Sequence, residues 1–187
     1  WNKNLESYAD YSNRIGRGRS YVKNGCVLDL AIETGLITAL VQGSRKNPYT
    51  IKITIAPLSK AKWDRITAQC SHSIADMEAL TAGKFPKTLE ALFTQKEDGL
   101  FPAPKEIKLD CSCPDWASMC KHIAAALYGV GARLDENPSL FFKLRDIPIE
   151  DLLKKSVETK MQEMLKNSNK KSKRTLDDIN IEELFGL

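Results

Sequence analysis

The stretch CSCPDWASMCKH, residues 111–122, constrains this chain more than any other. It gathers three of the five cysteines and one of the two histidines into twelve residues. As a pattern it reads C-x-C-x6-C-x-H, with Cys111, Cys113, Cys120 and His122 as the fixed positions. Three thiolates and one imidazole are a common ligand set for tetrahedral structural zinc. Local chain geometry can deliver them. On a strand, residues two apart face the same side, so Cys111 and Cys113 point together, and Pro114 then turns the chain away. Cys120 and His122 cannot both face one ion from inside a regular helix, because two residues advance about 200° around its axis. The spacing therefore predicts Cys120 just before a helix and His122 in its first turn. Ile123 onward then packs that helix against the strands, giving a small ββα-like unit pinned by one ion. Four protein ligands leave no position for water, which points to structural rather than catalytic zinc. In small fingers such an ion supplies about 10–16 kcal/mol of apparent binding energy. Ordinary buried cysteines beside a surface histidine would not need this spacing.

The remaining cysteines and histidine form no second site of this kind. Cys70 and His72 repeat the C-x-H spacing, but no C-x-C partner exists for them, and Cys26 alone cannot complete four ligands. The expectation there is a helix-end cysteine and a surface histidine. A Cys–His catalytic pair lacks any mark of an oxyanion hole or of a third, orienting group. No P-loop and no Gly-x-Ser-x-Gly is present, so the chain is not expected to be an enzyme. An odd, clustered set of cysteines with no legible secretory leader points to a reduced, cytoplasmic protein. No apolar run approaches the roughly 18–20 residues of a membrane span.

Around the cluster the chain reads as α+β: a small antiparallel β-meander with several helices, the zinc unit, and a helical or extended C-terminal tail. Residues 2–12 fit a short amphipathic helix. CVLDLAIE (26–33) and LITALVQG (36–43) flank a Thr34-Gly35 turn, and PYTIKITIAP (48–57) alternates Ile51, Ile53 and Ile55 with Lys52 and Thr54. Period-two alternation of this sort predicts strands with one buried face. Helical spacing follows in LSKAKWDRITAQC, with Ser59 as N-cap, and again in SIADMEALTAG and FPKTLEALFTQ. DGLFPAP is a loop and EIKLD a strand leading into the cluster. KHIAAALYGVGARL is a strong helical run, and NPSLFFKLR a last short helix. These readings divide the chain into an N-terminal α+β region (1–104), the zinc unit (105–148) and a tail (149–187).

Net charge is +4, but residues 154–174 alone carry +6, which leaves the rest at about −2. The body is therefore no basic globule, and any nucleic-acid contact must come from local clusters. RIGRGRSYVK supplies Arg14, Arg17, Arg19 and Lys23 with Gly16 and Gly18 between them. Glycine lets a backbone approach a phosphate, and arginine grips phosphate bidentately. Arg45 and Lys46 sit in the loop between two strands. Lys121 lies between two ligands at a helix N-terminus, where backbone N–H groups favour anions. Tyr21, Tyr49 and Trp116 are candidate stacking surfaces for single-stranded bases. The tail's amphipathic, Lys-rich pattern over 150–170 and its acidic, apolar end, LDDINIEELFGL, suit a solvated face, added phosphate contacts or a docking peptide.

The cluster and the helix after it resemble the SWIM zinc finger. Members of that family often carry C-S-C-P-[DE]-W before the third cysteine and C-K-H-I-[AS]-A after it; this chain has CSCPDW at 111–116 and CKHIAA at 120–125. GRGRSYVKNGCVLDL, VQGSRKNPY and the terminal ELFGL also look like those of bacterial SWIM zinc finger proteins, in which a β-containing region precedes the finger. The resemblance covers residues 1 to about 145 and the end of the tail. It implies zinc binding, a role in DNA binding or protein interaction, and an association with helicase-like chromatin-remodelling ATPases; it implies no known reaction. Two functions follow as expectations. The first is a zinc-containing module binding DNA or RNA as accessory to such an ATPase. The second is an adaptor that binds protein alone, through the finger, with Trp116 as anchor, and the ELFGL end.

Overall fold

The computed structural model describes residues 1–6, 12–70, 79, 94–95, 99–115, 117 and 119–168. The helices expected over 73–83 and 86–95, the Cys70–His72 pairing, Trp116 and the LDDINIEELFGL end lie wholly or largely outside those residues.

Two short helices come first, α1 (Asn2–Glu6) and α2 (Ser12–Lys23). Strands β1 (Val27–Glu33), β2 (Leu36–Val41) and β3 (Tyr49–Ile55) follow, then helix α3 (Lys60–Cys70). Ser59 opens α3 as expected, its Oγ accepting from the Lys62 N–H at 3.4 Å. After the 99–106 loop come β4 (Ile107–Cys111), α4 (Lys121–Glu136), α5 (Ser139–Leu144) and α6 (Ile149–Ser168).

The strands form one antiparallel sheet in the order β1-β2-β3-β4. The meander thus has four strands, and the strand that leads into the cysteines is the fourth. It pairs along β3 with Ile51 opposite Cys111, Ile53 opposite Leu109 and Ile55 opposite Ile107. Directly opposed residues of an antiparallel pair share a face. Cys111 therefore lies on the side of Ile51, Ile53 and Ile55, all buried, while Thr50, Lys52 and Thr54 face solvent. Each fully buried isoleucine contributes about 1.5–3 kcal/mol relative to an exposed one.

Helix α4 covers that apolar face and is itself enclosed on most sides, burying His122, the run Ile123–Leu127, Val130 and Leu134. Its outer side receives α2. The closest approach is at Gly18, where an added Cβ would lie 2.6 Å from the Ala124 Cβ. Glycine costs a helix about 1 kcal/mol relative to alanine, and here it is what lets two backbones meet. Trp1 closes the far end, donating from its indole N–H to the Leu127 carbonyl at 2.9 Å. Below the sheet's other end, fully buried Arg145 donates to the Ala56 carbonyl at 2.6 Å and pairs with Glu106 at 3.2 Å. Burial alone would raise the Glu106 carboxyl; the Ala103 N–H, Arg145 and Lys62 more than offset it and hold the group below the usual carboxylate range.

Candidate metal centre and the basic surface beside it

The four predicted ligands converge. Cys111 ends β4, and Cys113 follows after one more ladder step in which the Ser112 N–H donates to the Thr50 carbonyl at 3.0 Å. Cys120 is the N-cap of α4, with extended φ and ψ of −78° and 168°, and its sulfur accepts from the Ile123 N–H at 3.5 Å. His122 stands in the first turn, with Nδ1 3.8 Å from the Cys120 sulfur. The four donor atoms all lie within 4.8 Å of one another. Tetrahedral Zn–S and Zn–N bonds of about 2.3 and 2.0 Å put donor atoms roughly 3.5–3.8 Å apart, so small side-chain rotations close the site.

The local electrostatics fit the same ion. Burial pushes the Cys111 and Cys120 thiols up and the His122 imidazole down. The protein interior alone thus favours neutral thiols and a neutral ring. A divalent cation reverses the preference of the thiols and keeps the ring neutral, which is the form that ligates. The Cys3His cluster is positioned to bind one zinc ion. Residues 94–130 match the SWIM zinc finger model.

The chain carries a SWIM zinc finger.

The uncharacterized protein Rv2102 of Mycobacterium tuberculosis (strain ATCC 25618 / H37Rv) is 41% identical to this chain over 142 residues, 75% of the chain and 51% of that relative. The chain thus spans about half the length of the curated relative it matches. No solved structure matches the chain. Among the described residues no helix is long and apolar enough to cross a membrane.

The finger's histidine is held by residues from far upstream. The Tyr49 ring lies 4.4 Å from the His122 ring, and Tyr21 meets it edge-on at 5.6 Å. Gly43 lies against the Tyr49 and His122 rings: an added Cβ would come 2.4 Å from Tyr49 Cε2 and 2.9 Å from His122 Nε2. That Nε2 is buried with no hydrogen-bond partner among the described residues. The expectation that Tyr49 offers a stacking face to a base is therefore corrected. The ring is 6% exposed because it packs on a zinc ligand. Tyr21 is half-buried against the same ring. Neither role was legible from the motif, although a glycine directly after a strand, in VQGSRK, was the available signal.

The basic residues separate into two kinds. Arg14 makes a 3.0 Å ion pair with Asp115, which ties α2 to the loop between the ligand pairs. Arg19 pairs with Glu6 and donates to the Tyr128 hydroxyl at 2.9 Å, while that hydroxyl donates to Glu6 at 2.7 Å, so α1, α2 and α4 are joined at one point. Lys121 is half-buried, with its ammonium 5.0 Å above the Tyr21 ring. Gly16 and Gly18 lie within a helix, and Gly18 is buried against α4. The expected approach of the backbone to phosphate at Gly18 is thus corrected; the helix–helix contact uses it instead.

Arg17, Lys23, Arg45 and Lys46 are exposed, as Arg19 is too; what sets Arg45 and Lys46 apart from Arg19 is that neither meets a carboxylate among the described residues. Arg45 and Lys46 line an open pocket of about 360 Å³ with Asn47, Pro48, Tyr49 and Ser112. Tyr49 packs on His122, so the pocket shares that wall with the metal centre, while Ser112 joins it through the chain, as the residue between Cys111 and Cys113. Ser112 was not among the expected contacts; its position between Cys111 and Cys113 makes it part of the site once β4 is paired to β3.

Proposed function

We propose that this chain is a zinc-held nucleic-acid-binding module, an accessory factor to a DNA-acting, helicase-like ATPase. One observation carries the reading: Arg45 and Lys46 line an open pocket that shares Tyr49 with the metal centre, and among the described residues neither meets a carboxylate. Unpaired cations held on a rigid scaffold are what phosphate contacts require. Arg17 and Lys23 on α2 and Lys121 at the start of α4 add further positive charge; Arg14 and Arg19 are engaged by Asp115, Glu6 and Tyr128. The metal's part is structural, because the four ligands fill a tetrahedral ion and the module binds without catalysing. Thiolate ligands accord with a reducing, cytoplasmic location.

A titration of the zinc-loaded 187-residue chain with labelled single-stranded DNA, duplex DNA and RNA, repeated across a salt series, tests this. Binding that weakens linearly in log–log form with salt is expected. Absence of binding at every salt concentration sinks it.

A second reading, the protein adaptor, is favoured by α6. Its Val157, Met161, Met164 and Leu165 are 53%, 61%, 63% and 59% exposed and recur at helical spacing. An apolar stripe of this kind suits a partner protein. On the adaptor reading, Met161→Glu/Met164→Glu abolishes co-migration with the ATPase and no nucleic-acid affinity is found.

A further inference from the structure

The pocket lined by the β2–β3 loop and Ser112 is joined to the metal centre at two residues. Tyr49, one wall, packs on the ligand His122 at 4.4 Å. Gly43, at the root of the loop, is in contact with both rings. Ser112, which also lines the pocket, is the residue between ligands Cys111 and Cys113. Its Oγ accepts from the Thr50 N–H at 3.0 Å, which leaves the hydroxyl proton to donate elsewhere. The loop backbone is braced as well: the Gln42 side-chain amide donates to the carbonyls of Gly43 at 3.1 Å and Arg45 at 2.6 Å. The cations thus leave a constrained backbone, over a floor whose shape depends on where His122 and the two cysteines sit.

The lining is that of an anion site. A guanidinium, an ammonium, an amide and a hydroxyl all donate to oxygen, and a guanidinium fits phosphate bidentately. The 360 Å³ volume lies at the low end of ligand pockets, which begin at about 300 Å³. That size suits one nucleotide unit. The open mouth lets a strand run on in both directions.

We propose that this pocket seats one phosphate of a single nucleic-acid strand, and that zinc and strand are linked, each tightening the other through Tyr49 and Ser112. This rests on the nucleic-acid reading above and goes further, since it assigns the seat and makes its formation depend on the metal. Linkage is reciprocal, so a strand that binds better with zinc in place must raise zinc affinity by the same factor.

The test is zinc affinity of the full chain, measured by competition against a metal buffer, with and without a saturating labelled single-stranded oligonucleotide. Strand binding is followed in parallel by fluorescence anisotropy. The oligonucleotide is expected to raise zinc affinity about 5-fold or more, the lower end of typical coupling. Arg45→Met/Lys46→Met is expected to abolish that gain while leaving the affinity for zinc alone unchanged. Ser112→Ala is expected to keep one zinc per chain and to weaken strand binding several-fold. If the strand binds but zinc affinity does not move, the linkage is wrong and the nucleic-acid reading stands. If no strand binds the zinc-loaded chain, the reading falls and the seat with it. If inorganic phosphate raises zinc affinity as much as the strand does, the pocket is a free-phosphate site and the assignment to a strand is overturned.

Discussion

Two basic clusters look alike on paper and differ in the molecule. Arg14 and Arg19 on α2 are bound to Asp115, Glu6 and Tyr128, and tie α2 to the loop between the ligands and to α1 and α4. Arg45 and Lys46, on the β2–β3 loop, line a pocket at the metal centre and meet no carboxylate among the described residues. The difference teaches that a cation's role is decided by what the fold brings to it, not by how many cations share a segment. A paired arginine has already exchanged water for a carboxylate, and a phosphate must compete for it. An unpaired one is free to trade water for phosphate and to release counterions from the strand.

The strongest way to break this comparison is to remove the metal, because both clusters are anchored to the finger. Stripping zinc is expected to cost most of the apparent binding energy, about 10–16 kcal/mol in small fingers. Cooperative melting should vanish from the circular-dichroism trace and return on adding back one equivalent of zinc. Cys120→Ser is expected to give the same loss together with a substoichiometric metal content.

Next in size is the loss of binding in Arg45→Met/Lys46→Met. If both cations touch phosphate, the log–log salt slope falls by roughly 0.7–0.9 for each, depending on whether the strand is single or duplex. The thermal midpoint should stay where it is, since among the described residues neither side chain is paired with a carboxylate. Affinity measured at several salt concentrations, beside a melt, checks both halves.

A third variant strikes the architectural cluster. Gly18→Val puts a branched side chain where even a Cβ would lie 2.6 Å from Ala124. Overpacking of this kind costs about 1–3 kcal/mol, read as a lower denaturation midpoint with strand affinity of the folded fraction retained.

The smallest expected effect is a pH dependence at Glu6. The Tyr128 hydroxyl first, and then Arg19, hold its carboxyl below the usual range. A carboxylate depressed in the folded state stabilises the fold above its unfolded pKa, about 4.3. That contribution is lost as pH falls through the lower folded value. Melts of the wild type and Glu6→Gln should therefore converge below pH 4 and separate slightly near neutrality, with Glu6→Gln the less stable there. Equal separation at all pH values would remove Glu6 from this role.

Much of the metal centre could be read directly. Cys111 and Cys113 follow strand periodicity, and the two-residue step from Cys120 to His122 forced a helix to begin between them; α4 begins at Lys121. The alternating isoleucines of β3 were equally plain, because one buried face leaves a local signature. What local pattern could not supply was long-range pairing. Nothing near Cys111 says that it lies opposite Ile51, so the fourth strand of the sheet was legible as a strand and not as a neighbour of β3. The fate of the arginines was hidden for the same reason: Arg14 depends on Asp115 and Arg19 on Tyr128, each about a hundred residues away. Gly16 and Gly18 read as places where a backbone could approach phosphate, whereas both lie inside α2 and Gly18 is used for the contact with α4. The buried Arg145–Glu106 pair gave no signal at all, since a charged residue reads as surface until its partner is known.

The most direct measurement compares two double variants that remove the same charge. Zinc-loaded wild type, Arg45→Met/Lys46→Met and Arg14→Met/Arg19→Met would each be titrated against one labelled single-stranded oligonucleotide at fixed salt, with a melt for every sample. The account predicts that the loop pair loses affinity at an unchanged melting midpoint, while the helix pair lowers the midpoint and keeps most of its affinity. Equal loss of affinity in both variants would mean that net charge alone attracts the strand, and would contradict the separation of the two clusters.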